Sequence, residues 1–65
     1  MYKLPIINVQ ILKGGSEQDI QSFIRALTDT TSENLNVPKE RVRVIVQEVP
    51  RDRWAVGGEL MADRK

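Results

Sequence analysis

Cysteine and histidine are both absent from the 65-residue chain. Without cysteine the chain has no disulfide, no thiol nucleophile and no zinc knuckle. Without histidine it has neither a Ser-His-Asp triad nor an imidazole base. Only carboxylates and carbonyls remain as metal ligands, so we expect no soft-metal site. Any catalyst must therefore use arginine, lysine, a carboxylate, the hydroxyl of Tyr2 or a terminal amine.

The chain also lacks a charge excess and a long hydrophobic run. Ten basic and nine acidic side chains leave a formal net charge of +1, which is too small for strong steering toward nucleic acid. No apolar stretch approaches the roughly 20 residues of a membrane span, and the first residues contain no signal-peptide core. We therefore expect no nucleic-acid or membrane partner. The absence of cysteine fits a cytoplasmic location.

A chain of this size forms one small domain, which we expect to span residues 1–65. A domain near 60 residues buries only about 60% of its unfolded surface, so it needs additional stabilisation. Disulfides are absent and a structural metal is not expected. The sequence therefore predicts stabilisation by oligomerisation.

Residues 6–12 are predicted to form a strand, because Ile7, Val9 and Ile11 alternate onto one face. Two glycines then break the strand pattern, and Ser16 occupies a helix N-cap position. From Glu17 to about Asn34 the pattern predicts an amphipathic helix, whose apolar stripe comprises Ile20, Phe23, Ile24, Leu27, Thr31 and Leu35.

A second strand is predicted over residues 41–49. Strand, helix and strand in this order indicate an α/β (α+β) fold built on one βαβ unit with parallel strands. The helix covers one face of so small a sheet, and the other face is left for a partner; it carries Ile6, Leu12, Ile45 and Val49. Residues 51–58 are predicted to be a loop. Residues 59–61 are predicted to form a short C-terminal strand, either as part of a hairpin or paired with another subunit.

Two side chains stand out as candidates for binding. Arg43 lies in the middle of a strand, where a guanidinium is well placed to bind a carboxylate; the alternative is an arginine that extends into solvent. Trp54 either forms the wall of a pocket or anchors an interface. Together with Arg51 and Arg53, Trp54 also suggests a single-stranded nucleic-acid surface, which the nearly neutral charge disfavours.

The ordered motifs resemble the 4-oxalocrotonate tautomerase family over residues 5–62. The resemblance is carried by Pro5-Ile6-Ile7, Ile11-Leu12-Lys13-Gly14, the capped helix, Pro38, Val42-Arg43-Val44-Ile45, Glu48 and Gly57-Gly58-Glu59-Leu60. It implies a small βαβ subunit of a homohexamer built as a trimer of dimers. It also implies an isomerase that needs no cofactor and interconverts the enol and keto forms of a small unsaturated acid of the 2-hydroxydienoate type.

The resemblance assigns roles to three residues of this chain. Pro5 corresponds to the catalytic proline of the family, Arg43 to an arginine that binds a substrate carboxylate, and Trp54 to an aromatic residue that makes the pocket apolar. A free α-amino group has a pKa near 7.7–8.0, and burial beside arginine charges lowers that pKa. Such an amine serves as both base and acid near neutral pH.

Two features depart from the family pattern. Gly15 stands where the family usually has a second arginine, so one carboxylate contact is missing. Residues 1–4 precede Pro5 as an N-terminal extension, which makes the Pro5 nitrogen a tertiary amide without basicity. These departures motivate an alternative function, a non-catalytic or partner-dependent subunit of a tautomerase-like oligomer.

We predict that the native protein begins at Pro5. Leu4 stands where an initiator Met would precede the proline, and in bacteria some leucine codons also serve as starts that are read as Met. A Met followed by the small Pro5 is excised, which exposes the secondary amine. The intact mass of the protein from its own cells tests this: a mass that begins at Pro5 is expected, and a native chain that retains Tyr2 would contradict it.

Overall fold

The computed structural model describes residues 4–64. Of the predicted extension over residues 1–4, only the exposed Leu4 is among them, and the rest lies outside the described residues. The helices and strands are β1 (Ile6–Leu12), α1 (Glu17–Leu35), β2 (Arg43–Val49), β3 (Ala55–Val56) and β4 (Glu59–Leu60). Short 3-10 turns cover Lys39–Arg41, Arg51–Arg53 and Met61–Asp63.

Strands β1 and β2 pair in parallel, with α1 as the connection between them. The register sets Ile6 opposite Arg43 and continues without a bulge to Leu12 opposite Val49. The predicted α/β (α+β) fold with one βαβ unit is therefore confirmed.

The two faces of the sheet differ as the alternation predicts. Ile7, Val9 and Ile11 are half-buried on the face that α1 covers. On the opposite face, which we call the open face, Ile6 is 58% exposed and Ile45 is 55% exposed. Leu12 and Val49 on that face are half-buried.

The helix α1 has the ends that its sequence predicts. The hydroxyl of Ser16 accepts a hydrogen bond from the backbone N–H of Asp19 at 3.1 Å. Asn36 ends the helix in the left-handed conformation, with φ 56°, and its N–H bonds to the carbonyl of Ser32. Two members of the predicted apolar stripe, Phe23 and Leu35, are exposed in the single chain. Within residues 4–64, no helix is long and apolar enough to cross a membrane.

Strand β2 begins two residues later than predicted. Pro38 has φ −63°, which suits the start of a 3-10 turn, and the N–H of Arg41 donates to its carbonyl at 3.0 Å. The N–H of Val42 then bonds to the carbonyl of Lys39. Because this turn occupies the predicted first residue, the strand starts at Arg43.

The C-terminal segment pairs with itself. Strands β3 and β4 form an antiparallel hairpin, as the short C-terminal hairpin of the predicted fold requires, and pairing of residues 59–61 with another subunit stays a prediction. Gly57 and Gly58 have φ values of 61° and 85°, and a two-residue turn with both φ values positive matches the twist of a hairpin. The predicted loop over residues 51–58 thus contains a 3-10 turn and a short strand.

The single chain has a very small hydrophobic core. Among residues 4–64 only Val42 is buried, at 8% exposure. The radius of gyration is 15.1 Å, whereas a compact chain of this length has about 11 Å. The accessible surface is 5321 Å², against about 4200 Å² expected for a compact monomer of 7.4 kDa. The chain therefore exposes surface that a compact fold of its size would bury.

Replacement of Ser16 by alanine is expected to lower the free energy of unfolding by about 1 kcal/mol, because the cap on the Asp19 N–H is lost. For a chain of this size that corresponds to a melting temperature about 4–8 °C lower. Ser22→Ala, at an exposed position inside α1, is the matched control and should not destabilise. Thermal unfolding at one fixed protein concentration checks both, and equal losses would contradict the role of the cap.

Candidate active site

Pro5 and Arg43 meet at the N-terminal end of the sheet. The backbone N–H of Arg43 donates to the carbonyl of Pro5 at 3.0 Å, one residue before the ladder of β1 and β2 begins. Arg43 is exposed, and its Nη1 donates to the backbone carbonyl of Glu40 at 2.7 Å. A guanidinium has five N–H donors, so this bond orients the side chain and leaves donors for a ligand.

Trp54 lies at the other end of the sheet. It is half-buried and lines an open groove of about 380 Å³, which we call the Trp54 groove; its lining residues are Gln10, Gln47, Val49, Arg53, Trp54 and Ala55. The carbonyl of Trp54 accepts a hydrogen bond from the N–H of Met61 at 2.8 Å, which joins this segment to the C-terminal turn. The structure therefore places Trp54 in an open groove, and its role as pocket wall or interface anchor stays a prediction.

Pro5 and Trp54 do not share one site within a single chain. Gln10 follows Pro5 by five strand residues, and Gln47 follows Arg43 by four. At about 3.3 Å per residue these intervals correspond to roughly 13–17 Å. A small unsaturated acid is shorter than that, so one ligand cannot contact both ends of the same sheet.

The turn between β1 and α1 lies at the same end of the sheet as the Trp54 groove. The N–H of Lys13 donates to the carbonyl of Val49 at 2.9 Å, and Val49 lines the groove. Gly15 follows in the exposed turn, and a Cβ at Gly15 would have no atom within 4 Å. The space at this position is open.

Arg51 and Arg53 have different surroundings although both flank Asp52. Nη2 of Arg51 donates to the carbonyl of Met61 at 3.2 Å, so this side chain is tied to the C-terminal turn. Arg53 lies 3.9 Å from the carboxylate of Asp52, and both side chains are exposed. Of the three residues considered for nucleic-acid binding, Arg53 and Trp54 line the same groove.

Gln10 and Gln47 are residues of the groove that the motifs did not single out. The register sets them opposite each other on the open face, and Nε2 of Gln10 donates to Oε1 of Gln47 at 3.5 Å. The alternation of β1 and β2 already assigned both to this face. Their position beside Trp54 is not predictable from that alternation, because it depends on the path of the loop that follows β2.

A second groove lies between α1 and the 3-10 turn that follows it. It has a volume of about 370 Å³ and is lined by Ile24, Arg25, Thr28, Asp29 and Lys39. The ammonium of Lys39 lies 2.9 Å from Asp29, and this hydrogen-bonded contact raises the pKa of Lys39 above its ordinary value. Among residues 4–64, no group of three or more carboxylates is placed to hold a metal ion.

The model of the tautomerase enzyme family matches residues 5–64. The chain belongs to the tautomerase family. The 2-hydroxymuconate tautomerase of Pseudomonas putida is 39% identical to it over 56 residues, which cover 86% of this chain and 89% of that protein.

Solved structures of the family share this fold. TomN, a 4-oxalocrotonate tautomerase homologue in the tomaymycin biosynthetic pathway, superimposes with a TM-score of 0.88 at 47% identity, over 92% of each chain. A heterohexamer 4-oxalocrotonate tautomerase from Chloroflexus aurantiacus has a TM-score of 0.85 at 35% identity, covering 92% of this chain and 97% of that one. Tautomerases of known structure therefore include oligomeric members.

Proposed function

We propose that this member of the tautomerase family is an isomerase that interconverts the enol and keto forms of a small unsaturated acid of the 2-hydroxydienoate type. The Pseudomonas putida relative, a 2-hydroxymuconate tautomerase, supports this substrate class. The observation that carries the proposal is the hydrogen bond between the Arg43 N–H and the Pro5 carbonyl. It joins the backbone of Pro5 to that of Arg43, whose side chain is exposed, in a chain without histidine or cysteine.

The proposed reaction transfers one proton within the substrate and involves no net oxidation or reduction. A proton leaves the enol hydroxyl as its oxygen becomes a carbonyl, the adjacent C=C shifts along the conjugated chain, and a proton is added to carbon. The reaction is redox-neutral, so its balance requires no oxidant, reductant or cofactor. The secondary amine of Pro5 takes up and returns the proton, and Arg43 binds the carboxylate beside the oxygen where negative charge develops.

The amine exists only if Pro5 begins the chain. In the 65-residue chain its nitrogen is a tertiary amide and has no basic lone pair. The positive charge of Arg43 nearby favours the neutral, basic form of a free amine. The proposed catalyst is therefore the form of the protein that starts at Pro5, and we place it in the cytoplasm.

We propose that the complete site lies between copies in a homohexamer. Pro5 and Arg43 of one copy and Trp54 of another can contact one ligand, whereas the two ends of one sheet cannot. The excess of exposed surface and the open face of the sheet support assembly. Residues 1–65 would then form one tautomerase-like domain, with residues 1–4 as an extension.

A second candidate function is a non-catalytic or partner-dependent subunit of a mixed oligomer. Gly15 at the position of the family arginine and the tertiary amide at Pro5 favour it, as does the heterohexamer of Chloroflexus aurantiacus among the structural neighbours. Size measurement of the purified chain alone separates the two. A hexamer formed without a partner excludes obligate mixed assembly.

A protein that begins at Pro5 is expected to ketonise 2-hydroxymuconate faster than buffer, because its amine is free to transfer protons. The 65-residue chain is the matched control and should be nearly inactive, since its Pro5 nitrogen is an amide. Ultraviolet absorbance of the dienol and the enone follows both reactions. No rate above buffer from the Pro5 form, with any acid of this class, would overturn the proposed enzyme.

Arg43→Ala in the Pro5 form is expected to raise KM roughly tenfold or more, because the carboxylate loses a charge-assisted hydrogen bond. The unfolding temperature should fall only slightly, since Arg43 is exposed and its side-chain bond is to one carbonyl. Arg25→Ala, at an exposed position of α1, is the control and should leave KM unchanged. Parallel losses of activity and thermal stability in Arg43→Ala would instead indicate a structural role.

A further inference from the structure

The guanidinium of Arg43 is held by the short turn that precedes its strand. In a 3-10 turn that continued, the carbonyl of Glu40 would accept the backbone N–H of Arg43, but that N–H donates to the carbonyl of Pro5 at 3.0 Å. The carbonyl of Glu40 instead accepts a hydrogen bond from Nη1 of Arg43 at 2.7 Å. Because the turn ends in a carbonyl that is paired with the guanidinium, the position of the turn sets the position of that group.

The turn over Lys39–Arg41 is closed by backbone bonds and is joined to the end of α1. The N–H of Val42 donates to the carbonyl of Lys39 at 3.0 Å. Before the turn, Val37 is bonded to Ser32 twice: its N–H donates to the carbonyl of Ser32 at 3.1 Å, and its carbonyl accepts the hydroxyl of Ser32 at 2.6 Å. The backbone that leads into the turn is therefore fixed to the last part of the helix.

Lys39 joins the turn itself to α1. Its Nζ lies 2.9 Å from Oδ1 of Asp29, and this is a charge-assisted hydrogen bond across the groove between the helix and the turn. The same bond raises the pKa of Lys39, so the ammonium keeps its charge in this contact at neutral pH. Lys39 immediately precedes Glu40, so the ion pair lies one residue away from the carbonyl that holds Arg43.

We infer that Asp29 and Lys39 are positioning residues, whose ion pair fixes the 3-10 turn and thereby orients the guanidinium of Arg43 toward the carboxylate of the substrate. They act through the Glu40 carbonyl and not on the acid itself. The inference rests on the proposed function for the role of Arg43. Exposed ion pairs are weak, so the expected effects of breaking this one are about two- to fivefold.

The first test measures the guanidinium directly in the 65-residue chain and requires no activity. Rotation of the Arg43 guanidinium is followed by ¹⁵N exchange spectroscopy, and its signal is assigned by its loss in Arg43→Ala. Lys39→Gln and Asp29→Asn are each expected to raise the rotation rate about two- to fivefold, because the turn that carries the Glu40 carbonyl is no longer fixed to α1. Lys39→Arg should keep the rotation slow, since it retains the charge and the donors.

Arg64→Gln is the matched control for these variants. It breaks another exposed ion pair, in which Nε of Arg64 lies 2.7 Å from the carboxylate of Glu59 in the C-terminal segment. This change should leave the rotation rate of the Arg43 guanidinium as it is. An unchanged rate in either Lys39→Gln or Asp29→Asn, or an equal rise in Arg64→Gln, would overturn the inference.

The second test separates positioning from a general effect of charge, in the form that begins at Pro5. Lys39→Gln removes a positive charge and Asp29→Asn a negative one, so a general effect on an anionic acid would change KM in opposite directions. Positioning predicts that both raise KM about two- to fivefold, with a smaller change in kcat, and that neither has a further effect in the Arg43→Ala background. Opposite changes in KM, or an undiminished effect without Arg43, would overturn the inference.

Failure of the inference and failure of the proposed reaction give different results. Faster rotation of the guanidinium in both variants, with an inactive Pro5 form, would support the positioning of Arg43 and reject the proposed reaction. An active Pro5 form whose rotation rate and KM do not change in Lys39→Gln and Asp29→Asn would support the reaction and reject the positioning.

Discussion

The parallel pairing of β1 with β2 is the constraint on which the rest of this structure depends. The nineteen-residue helix between the strands returns the chain to the start of the sheet, so the two strands run in the same direction from Pro5 and Arg43. The first bond of this pairing joins the Pro5 carbonyl to the Arg43 N–H. The same register sets Gln10 beside Gln47 at the far end. One set of backbone bonds therefore fixes both candidate sites and the distance between them.

The sheet of β1 and β2 has only two strands, and this explains why the single chain buries so few side chains. One helix covers one face, so Ile6 and Ile45 remain exposed on the other, and Phe23 and Leu35 of α1 are exposed as well. With Val42 as the one buried side chain among residues 4–64, hydrophobic burial within the chain is small compared with the entropy of ordering it. Assembly would bury exposed aliphatic side chains, and in the proposed hexamer the Pro5 end of one copy would meet the groove of another. In that hexamer, assembly would both stabilise the subunit and complete the proposed active site.

Much of this fold is predictable from the sequence because its signals are local. The alternation in residues 6–12 and the cap at Ser16 each specify an element within a few residues, and both agree with the structure. The predicted start of β2 was wrong, and the residues of the β3–β4 hairpin were not located from the sequence, for different reasons. Alternation continues through a turn that Pro38 initiates, and strands of two residues are too short to show any period. Pro5 and Arg43 could be singled out by motif, but the groove of Arg53 could not. It forms only when the loop after β2 turns back against Gln10, which is a long-range contact.

The separation of the two sites along the sheet has a consequence for how such a subunit works. The proposed proton transfer requires a Pro5 nitrogen that is not in an amide bond with Leu4, whereas the Trp54 groove is formed by side chains at the other end of the strands. A chain that begins at Pro5 has a free amine there, and its nitrogen lies outside the paired residues of β1 and β2. A chain that keeps the bond still carries the groove, and in an oligomer it can supply that groove to a neighbouring subunit. The two proposed functions, catalytic and partner-dependent, therefore require the same fold and differ in the state of the Pro5 nitrogen.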